Sequence, residues 1–575
     1  MKKWLFIFLP VALFFTVIIQ KRSFNNRYAV ATVQSNISGS ISCGPANYNV
    51  ILPDENGKYI TLLPGWGNHS YTITTNSDSA QAYFNQGLTM YYSYHPREAM
   101  ASFKEAARFD SSCAMAYWGQ ALAKGPPYNF GHLYTMDKNI FSIINLMNNY
   151  ASTATEREKD LIAAMNRRYD KSDMDDADRK VHNTAYAAAL KQLINRYSSD
   201  NDIKALYTDA MMLIHPWDFW YNNGEPKPWT MELIQYTRNI LSEDPHHPAA
   251  LHYFIHLTEA SHQPGVALQN ADSLKKLFPS VAHMVHMASH EYERSGYYME
   301  GVDVNQKADS SVVQYSNLTK GLIQSVHVPH YDAVSAYCAL SGGMYTIAME
   351  KAVECRSHVN PDARNTYQQY LYMFPYFPMI RSGKWQSILD DGTYIANDWN
   401  YAKIIRDFAR GMAYARSTNI PEAEKCLEQL KLEKQDTILR IPFTPYMSSP
   451  FECASIAEHI LAATIFSEQK NYSAAIKEFT KAIKTEDQLL YTEPKIWMLP
   501  ARQYLGALLL QIQQPAKAEK IYRGDIRRNP GNGWSLLGLY QSLQQQQKTT
   551  ELFSAKQGYT QSFAHADAVP AASVY

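Results

Sequence analysis

The sequence predicts an all-α solenoid of stacked helix pairs, and three observations carry that prediction. Four residue pairs recur at one spacing of 34: His252 with His286, His256 with His290, Glu259 with Glu293, and Pro245 with Pro279. That spacing is the length of a helix–turn–helix unit that stacks on copies of itself. From about residue 80 the apolar positions keep a helical period, with small residues where paired helices cross. The chain is also 46% apolar with 41 tyrosines. Tyrosine packs its ring and keeps its hydroxyl wet, which suits large helical interfaces.

The 575 residues carry 54 acidic and 54 basic side chains. Zero net charge gives no support for a nucleic-acid surface, which usually shows as a basic excess. The six cysteines form no C-x-x-C pair, so a zinc knuckle or a thioredoxin-like motif is not expected. Their scatter through helical segments predicts small hydrophobes and one disulfide at most.

Residues 1–22 read as a signal peptide or a membrane anchor. Trp4 to Ile19 is an apolar run of 16 residues with basic residues on both sides. A signal-peptide core takes about 7–15 residues and a membrane span roughly 20, so cleavage is left open. Either way the reading is export to the cell envelope, on the periplasmic side. Residues 23–79 read as a linker and cap with short strands at 48–52, 59–63 and 71–75, where β-like runs alternate with Pro and Gly.

Helical repeats then follow, in an N-terminal set over 80–244, a histidine-rich set over 245–345 and a C-terminal set over 346–560. Tyr83, Gly87, Ala99, Phe103 and Ala106 hold the small and aromatic positions of the first unit. Further helices are expected at 135–149, 156–169, 177–197 and 201–214, the second opened by a capping box of Thr155 and Glu158. Residues 216–228 form an aromatic loop between units. A helix near 330–341 follows His327 and His330. Leu505, Gly506, Ala518 and Tyr522 mark a late repeat, Gly531 to Leu543 starts the final helix, and 561–575 read as a frayed tail.

With these blocks in view, the chain resembles a family of bacterial tetratricopeptide-repeat proteins of unassigned function. The matching stretches include Phe84 to Leu88, Cys113 to Asn129, His247 to His256, His283 to His290, Tyr491 to Trp497 and Gly531 to Trp534. The resemblance implies a tetratricopeptide-repeat solenoid and supplies no activity. In such repeats positions 2, 5, 9 and 12 face the concave groove. It therefore implies that His252, His256, Glu259, His283, His286, His290 and Glu293 line a groove, and that the groove takes a protein or peptide.

Residues 246–290 hold eight of the 18 histidines, where even scatter predicts about one or two. Pairs at i and i+4 on neighbouring helices are how helical bundles build metal sites. His252, His256, His283, His286 and His290 are accordingly candidate ligands for zinc, copper, iron or manganese. His327 and His330 are further ligands from the next unit on this reading. Glu259 and Glu293 would be ligands, supporting partners or a general base. Two functions stay open: an envelope-associated scaffold binding a protein or peptide, and a metalloprotein or metalloenzyme on the same histidines. Named catalytic motifs are absent. His290-Glu291 starts a zinc-protease helix motif, but Arg294 stands where its second histidine belongs. His215, His246, His247 and His262 are not expected to be ligands.

Overall fold

A computed structural model describes residues 51–137, 139–169, 176–319 and 328–575. The N-terminal segment over 1–22, residues 23–50 of the linker with most of the strand expected over 48–52, and His327 lie outside the described residues. Within them the secondary structure is helical: twenty-five α-helices and three short 3-10 turns, most helices packed chiefly on their sequence neighbours.

The helix pairs close on glycine. Phe103 inserts its ring where a Cβ on Gly87 or Gly119 would stand, 16 residues before and after it. Tyr522 does the same between Gly506 and Gly538, again 16 residues away on each side. A large ring from one helix thus fills space that two neighbouring helices leave by having no side chain. This close approach sets the repeat. Thr155 and Glu158 form the expected capping box: Thr155 N–H donates to Glu158 Oε2 at 2.7 Å. The helix expected over 135–149 begins only at Ile140, behind a 3-10 turn at Tyr128–Leu133.

Two expectations change. No strand ladder forms in the described part of the 23–79 cap; the one β pairing among the described residues is the isolated Trp220–Pro226 bridge. The cap is extended, but its backbone bonds go to side chains. Leu63, Tyr71 and Ile73 donate their N–H groups to Gln86, Asn85 and Gln81 at 2.7, 3.1 and 3.0 Å. Amide side chains on the Asp78–Tyr92 helix therefore stand in for a neighbouring strand.

The C-terminus also differs. A further helix, Thr549–Ser562, follows Gly533–Gln545, and the tail behind it is anchored. Asp567 accepts from Thr346 N–H and Oγ1 at 2.8 and 2.7 Å, and Ser573 hydrogen-bonds Tyr522 Oη at 2.6 Å. The last repeats pack back on the middle of the chain. Trp534 Nε1 donates to the Ser341 carbonyl at 3.1 Å and Tyr370 Oη to the Lys495 carbonyl at 2.9 Å. The left-handed turns at Gly296 and Gly531 touch so closely that a side chain on either has no room. This return brings the 487–500 segment against the histidine-rich helices.

Candidate metal centre

The Pro248–Thr258 helix starts with proline in its first turn, and His247 caps it by accepting from Ala250 N–H at 3.4 Å. It ends at Thr258, which leaves Glu259 at the C-cap. Four-residue spacing puts His252 and His256 on one face. The Ala282–Ser295 helix presents His283, His286, His290 and Glu293, and the first turn of Val328–Ser341 supplies His330. Packing of these helices buries the row. His252, His283 and His286 are 0% exposed, and the most exposed of the eight residues, His330, is 6%. The seven residues expected to line an open groove are enclosed.

The imidazoles sort into two sets of three. One ring nitrogen each from His252, His256 and His283 lies within 4.8 Å of the others, and the same holds for His286, His290 and His330. His252 Nε2 is 3.1 Å from His283 Nε2. His286 Nε2 is 3.0 Å from both His290 Nε2 and His330 Nε2. The sets abut: the His283 and His286 ring centroids are 5.8 Å apart, and those of His256 and His290 are 5.9 Å apart.

Hydrogen bonds behind the rings fix their tautomers. His252 Nδ1 donates to the Tyr92 carbonyl at 2.6 Å. His286 Nδ1 donates to Asn305 Oδ1 at 2.7 Å, and Asn305 is oriented by its own Nδ2–H bond to the Gly301 carbonyl at 2.8 Å. Glu259 takes two: Oε1 accepts from His256 Nδ1 at 2.9 Å and Oε2 from His290 Nδ1 at 2.8 Å. A neutral imidazole carries a single N–H. These four rings, when neutral, therefore point Nε2 lone pairs inward. Outer-sphere carboxylates and carbonyls on the far nitrogen are what hold histidine ligands in metal sites.

Electrostatics follow from burial and from Glu259. Burial, then the neighbouring His256, holds His252 well below the usual imidazole range. Burial with His290 nearby takes His330 down to about 3. His290 goes the other way: burial opposes, but Glu493 and the Glu259 hydrogen bond outweigh it and raise it to about 9. Glu259 is buried yet held low by His256 and His290. Burial raises Glu293, and burial plus Glu259 raises Glu493, whose carboxylate lies 3.9 Å from His290. Both oxygens of Glu293 and Oε1 of Glu493 are buried without a hydrogen-bond partner in the structure.

Tyrosines wall the site. Tyr94 lies 4.4 Å from the His252 ring, Tyr128 is 5.3 Å from His256 and Tyr331 is 4.6 Å from His286. Beyond them opens a cleft of 610 Å³ lined by Trp217, Tyr446, Tyr491, Arg294 and Lys495 among others. None of the eight site residues lines it. Arg294 joins the two, donating to the carbonyls of Glu259 and of Ser261. The aromatic loop of 216–228 thus forms a cleft wall.

Other residues flagged in the sequence play different parts. Glu291 accepts from Gly265 and Ala267 N–H at 3.1 and 3.4 Å and braces a turn, so the broken protease motif has no counterpart in space. His215 stacks on Trp229 at 3.5 Å, and His262 lies beyond the end of its helix at the cleft. His69, Asp202 and His247 form another histidine–carboxylate group. There Asp202 Oδ1 itself receives His69 Nε2 at 3.0 Å and Tyr92 Oη at 2.9 Å, an ion-pair clamp on the cap. Sequence reasoning missed Asn305, Tyr94, Tyr128 and Glu493. Asn305 and Glu493 carry no periodic signal, and Glu493 arrives from about 200 residues downstream. His330 stands 44 residues after His286, off the period of 34.

No protein family and no curated protein matches this chain. Among solved structures it is similar to a human IFIT1 dimer with m7Gppp-AAAA, at 12% identity over 78% of this chain and 90% of that one, with a TM-score of 0.33. It is similar to yeast Tom70 at 10% identity over 84% and 92%, TM-score 0.27. It is also similar to the P58(IPK) TPR domain at 13% identity over 58% and 89%, TM-score 0.17. Scores this low bring neither a fold nor a function to this chain.

Proposed function

We propose that this helical-repeat chain is a metalloprotein holding two transition-metal ions side by side. One sits on His252, His256 and His283, the other on His286, His290 and His330, and Glu259 orients a ligand of each. The observation that carries the reading is the burial of six imidazoles in two sets of three, each set offering ring nitrogens within 4.8 Å of one another, with four of the rings donating Nδ1–H to Tyr92, Asn305 and Glu259 behind them. An Nε2–H of one ring donating to its neighbour satisfies one close pair, whereas a metal ion satisfies all three nitrogens of a set at once. A metal ion about 2.0–2.1 Å from each nitrogen sets them about 2.9–3.4 Å apart at ordinary coordination angles. His256 Nε2, buried without a hydrogen-bond partner, gains one in the same way.

Six imidazoles, with carboxylate only behind them, favour zinc, copper or iron over manganese, which suits oxygen ligands. Three protein ligands per ion leave coordination positions open, the mark of a reactive rather than a structural site. Burial weighs against the alternative in which these seven residues grip a peptide, because a groove ligand reaches none of their ring nitrogens. The apolar segment at 4–19 supports export of the folded repeats to the envelope. Elemental analysis of protein purified without chelators tests the assignment. About two equivalents are expected in the parent. His256→Ala and His330→Ala should each lose the ion of one set. A parent that holds no zinc, copper or iron, and whose melting does not respond to added metal, overturns it.

A further inference from the structure

The 610 Å³ cleft lies between the aromatic loop of 216–228 and the 487–500 segment. Asn222 ties these two walls together, its Nδ2 donating to the Gln488 carbonyl at 3.0 Å. The carboxylates that line the cleft all have partners. Asp218 pairs with Lys227 at 2.9 Å, and Asp487 with Arg502 at 2.7 Å and Arg528 at 3.3 Å. Glu486 accepts from Ala501 N–H at 2.8 Å, and Asp525 from Asn529 Nδ2 at 3.0 Å. Two cations in the same lining have no such counter-charge. Arg294 is 9% exposed and donates to the carbonyls of Glu259 and Ser261. Half-buried Lys495 donates to the amide oxygen of Asn529. Neither forms an ion pair with a carboxylate among the described residues. Burial pulls Lys495 below the usual lysine range, and Asp525, Glu293 and Glu486 oppose that only from a distance. Of the five N–H groups of Arg294 two are used, and of the three of Lys495 one. A buried charge left this way is costly unless an anion meets it.

Aromatic rings stand beside the two cations. Arg294 lies over the Tyr491 ring, 5.5 Å from its centroid, and the Trp217 and Tyr446 centroids are 5.3 Å apart in the same cleft. Trp217 is held in a left-handed conformation, φ +54, that a tryptophan rarely adopts, and its N–H donates to Tyr128 Oη at 3.1 Å. The loop bears strain to set an indole there, as binding sites do.

We propose that the cleft binds a small aromatic carboxylate, its carboxylate on Arg294 and Lys495 and its ring against Trp217 and Tyr446. The proposal stands apart from the metal reading. Two cations with donors to spare match a single carboxylate, which they would hold by charge-assisted hydrogen bonds. A neutral ring leaves both cations without a counter-charge. A phosphate dianion fits less well, because Glu486, Asp487 and Asp525 line the same cleft and repel a second negative charge. The volume of 610 Å³ lies in the range of about 300–1,000 Å³ that small-molecule sites occupy.

The test is titration calorimetry on the full protein, with and without a chelator. The probe is 3-phenylpropionate; 3-phenylpropan-1-ol is its neutral counterpart and phenyl phosphate a dianion. The parent should bind the acid roughly tenfold or more tighter than either. Lys495→Met keeps the length of the side chain and removes its charge, and should abolish that preference. Lys495→Arg keeps the charge and should retain it, which separates lost charge from lost folding. A parent that does not bind the acid, or binds the alcohol or phenyl phosphate as tightly, overturns the proposal. So does a Lys495→Met protein that still prefers the acid. Acetyl-Gly-Gly-Phe carries the same carboxylate on a peptide, and tighter binding of it than of the free acid overturns the small-molecule assignment. Acid binding that vanishes with chelator also overturns the proposal, by placing the carboxylate on a metal ion, and leaves the metal reading standing.

Discussion

Glu259 touches two imidazoles that belong to different histidine sets, and one carboxylate can do so because each of its oxygens accepts a bond. An amide has one accepting oxygen. Glu259→Gln should therefore leave one Nδ1–H facing an NH₂ group and weaken metal binding on the order of 10–100-fold. Competition with a chelator measures this, and unchanged affinity at both sets would remove Glu259 from the orienting role. His69 offers a test away from the two histidine sets. Burial lowers its affinity for a proton, but the charge and hydrogen bond of Asp202, with Asp244 beyond, outweigh burial and raise it above 6.5. His247 and Tyr92 complete its surroundings. A histidine raised in the fold contributes its stability in full below the unfolded value of about 6.5 and loses it as pH rises through the folded value. Proteolysis of the 51–77 segment should accordingly be faster at pH 9 than at pH 6, and His69→Gln should flatten that difference. An equal pH response in the variant would show that the clamp does not hold the cap.

At the scale of elements, the repeats depend on rings packed into glycine. Gly506→Ala places a methyl group in the Tyr522 ring, and Gly87→Ala does the same to Phe103. Overpacking of this kind costs about 1–3 kcal/mol, to be read as a lower urea midpoint with an unchanged slope. Loss of the Thr155 cap by Thr155→Ala should cost about 1 kcal/mol. Helix existence was legible here because glycine, ring and cap residues act within one unit or its neighbour. The cap was misread for a physical reason. Its alternation is real, but the hydrogen bonds that make a strand come from Gln81, Asn85 and Gln86, and side-chain acceptors leave no signature in the segment they hold.

The whole molecule couples its end to its middle. Deleting residues 564–575 removes the Asp567 and Ser573 contacts to Thr346 and Tyr522. The deletion should lower the melting temperature, whereas a frayed tail would leave it unchanged. The proposed metal binding would act on the same scale, because the six histidines meet only in the folded chain. Metal at a thousand times its Kd should stabilise the fold by about 4 kcal/mol, and a chelator should take that away. A melting temperature indifferent to chelator in metal-containing protein would contradict the proposed centre.

The sequence by itself determined the helical architecture and which five of the six proposed histidine ligands would share one region. A spacing of 34 and an offset of four are properties of local geometry, and local geometry is written in the chain. Tertiary structure alone decided that the histidine row is enclosed, that it divides into two sets of three, and that His330 completes the second. It also decided that Glu259 holds both sets and that Tyr128, Trp217 and Glu493 close the site on its cleft side. Those outcomes depend on distances between segments far apart in sequence, set by how the last repeats pack back on the middle, and no periodic pattern records such a contact.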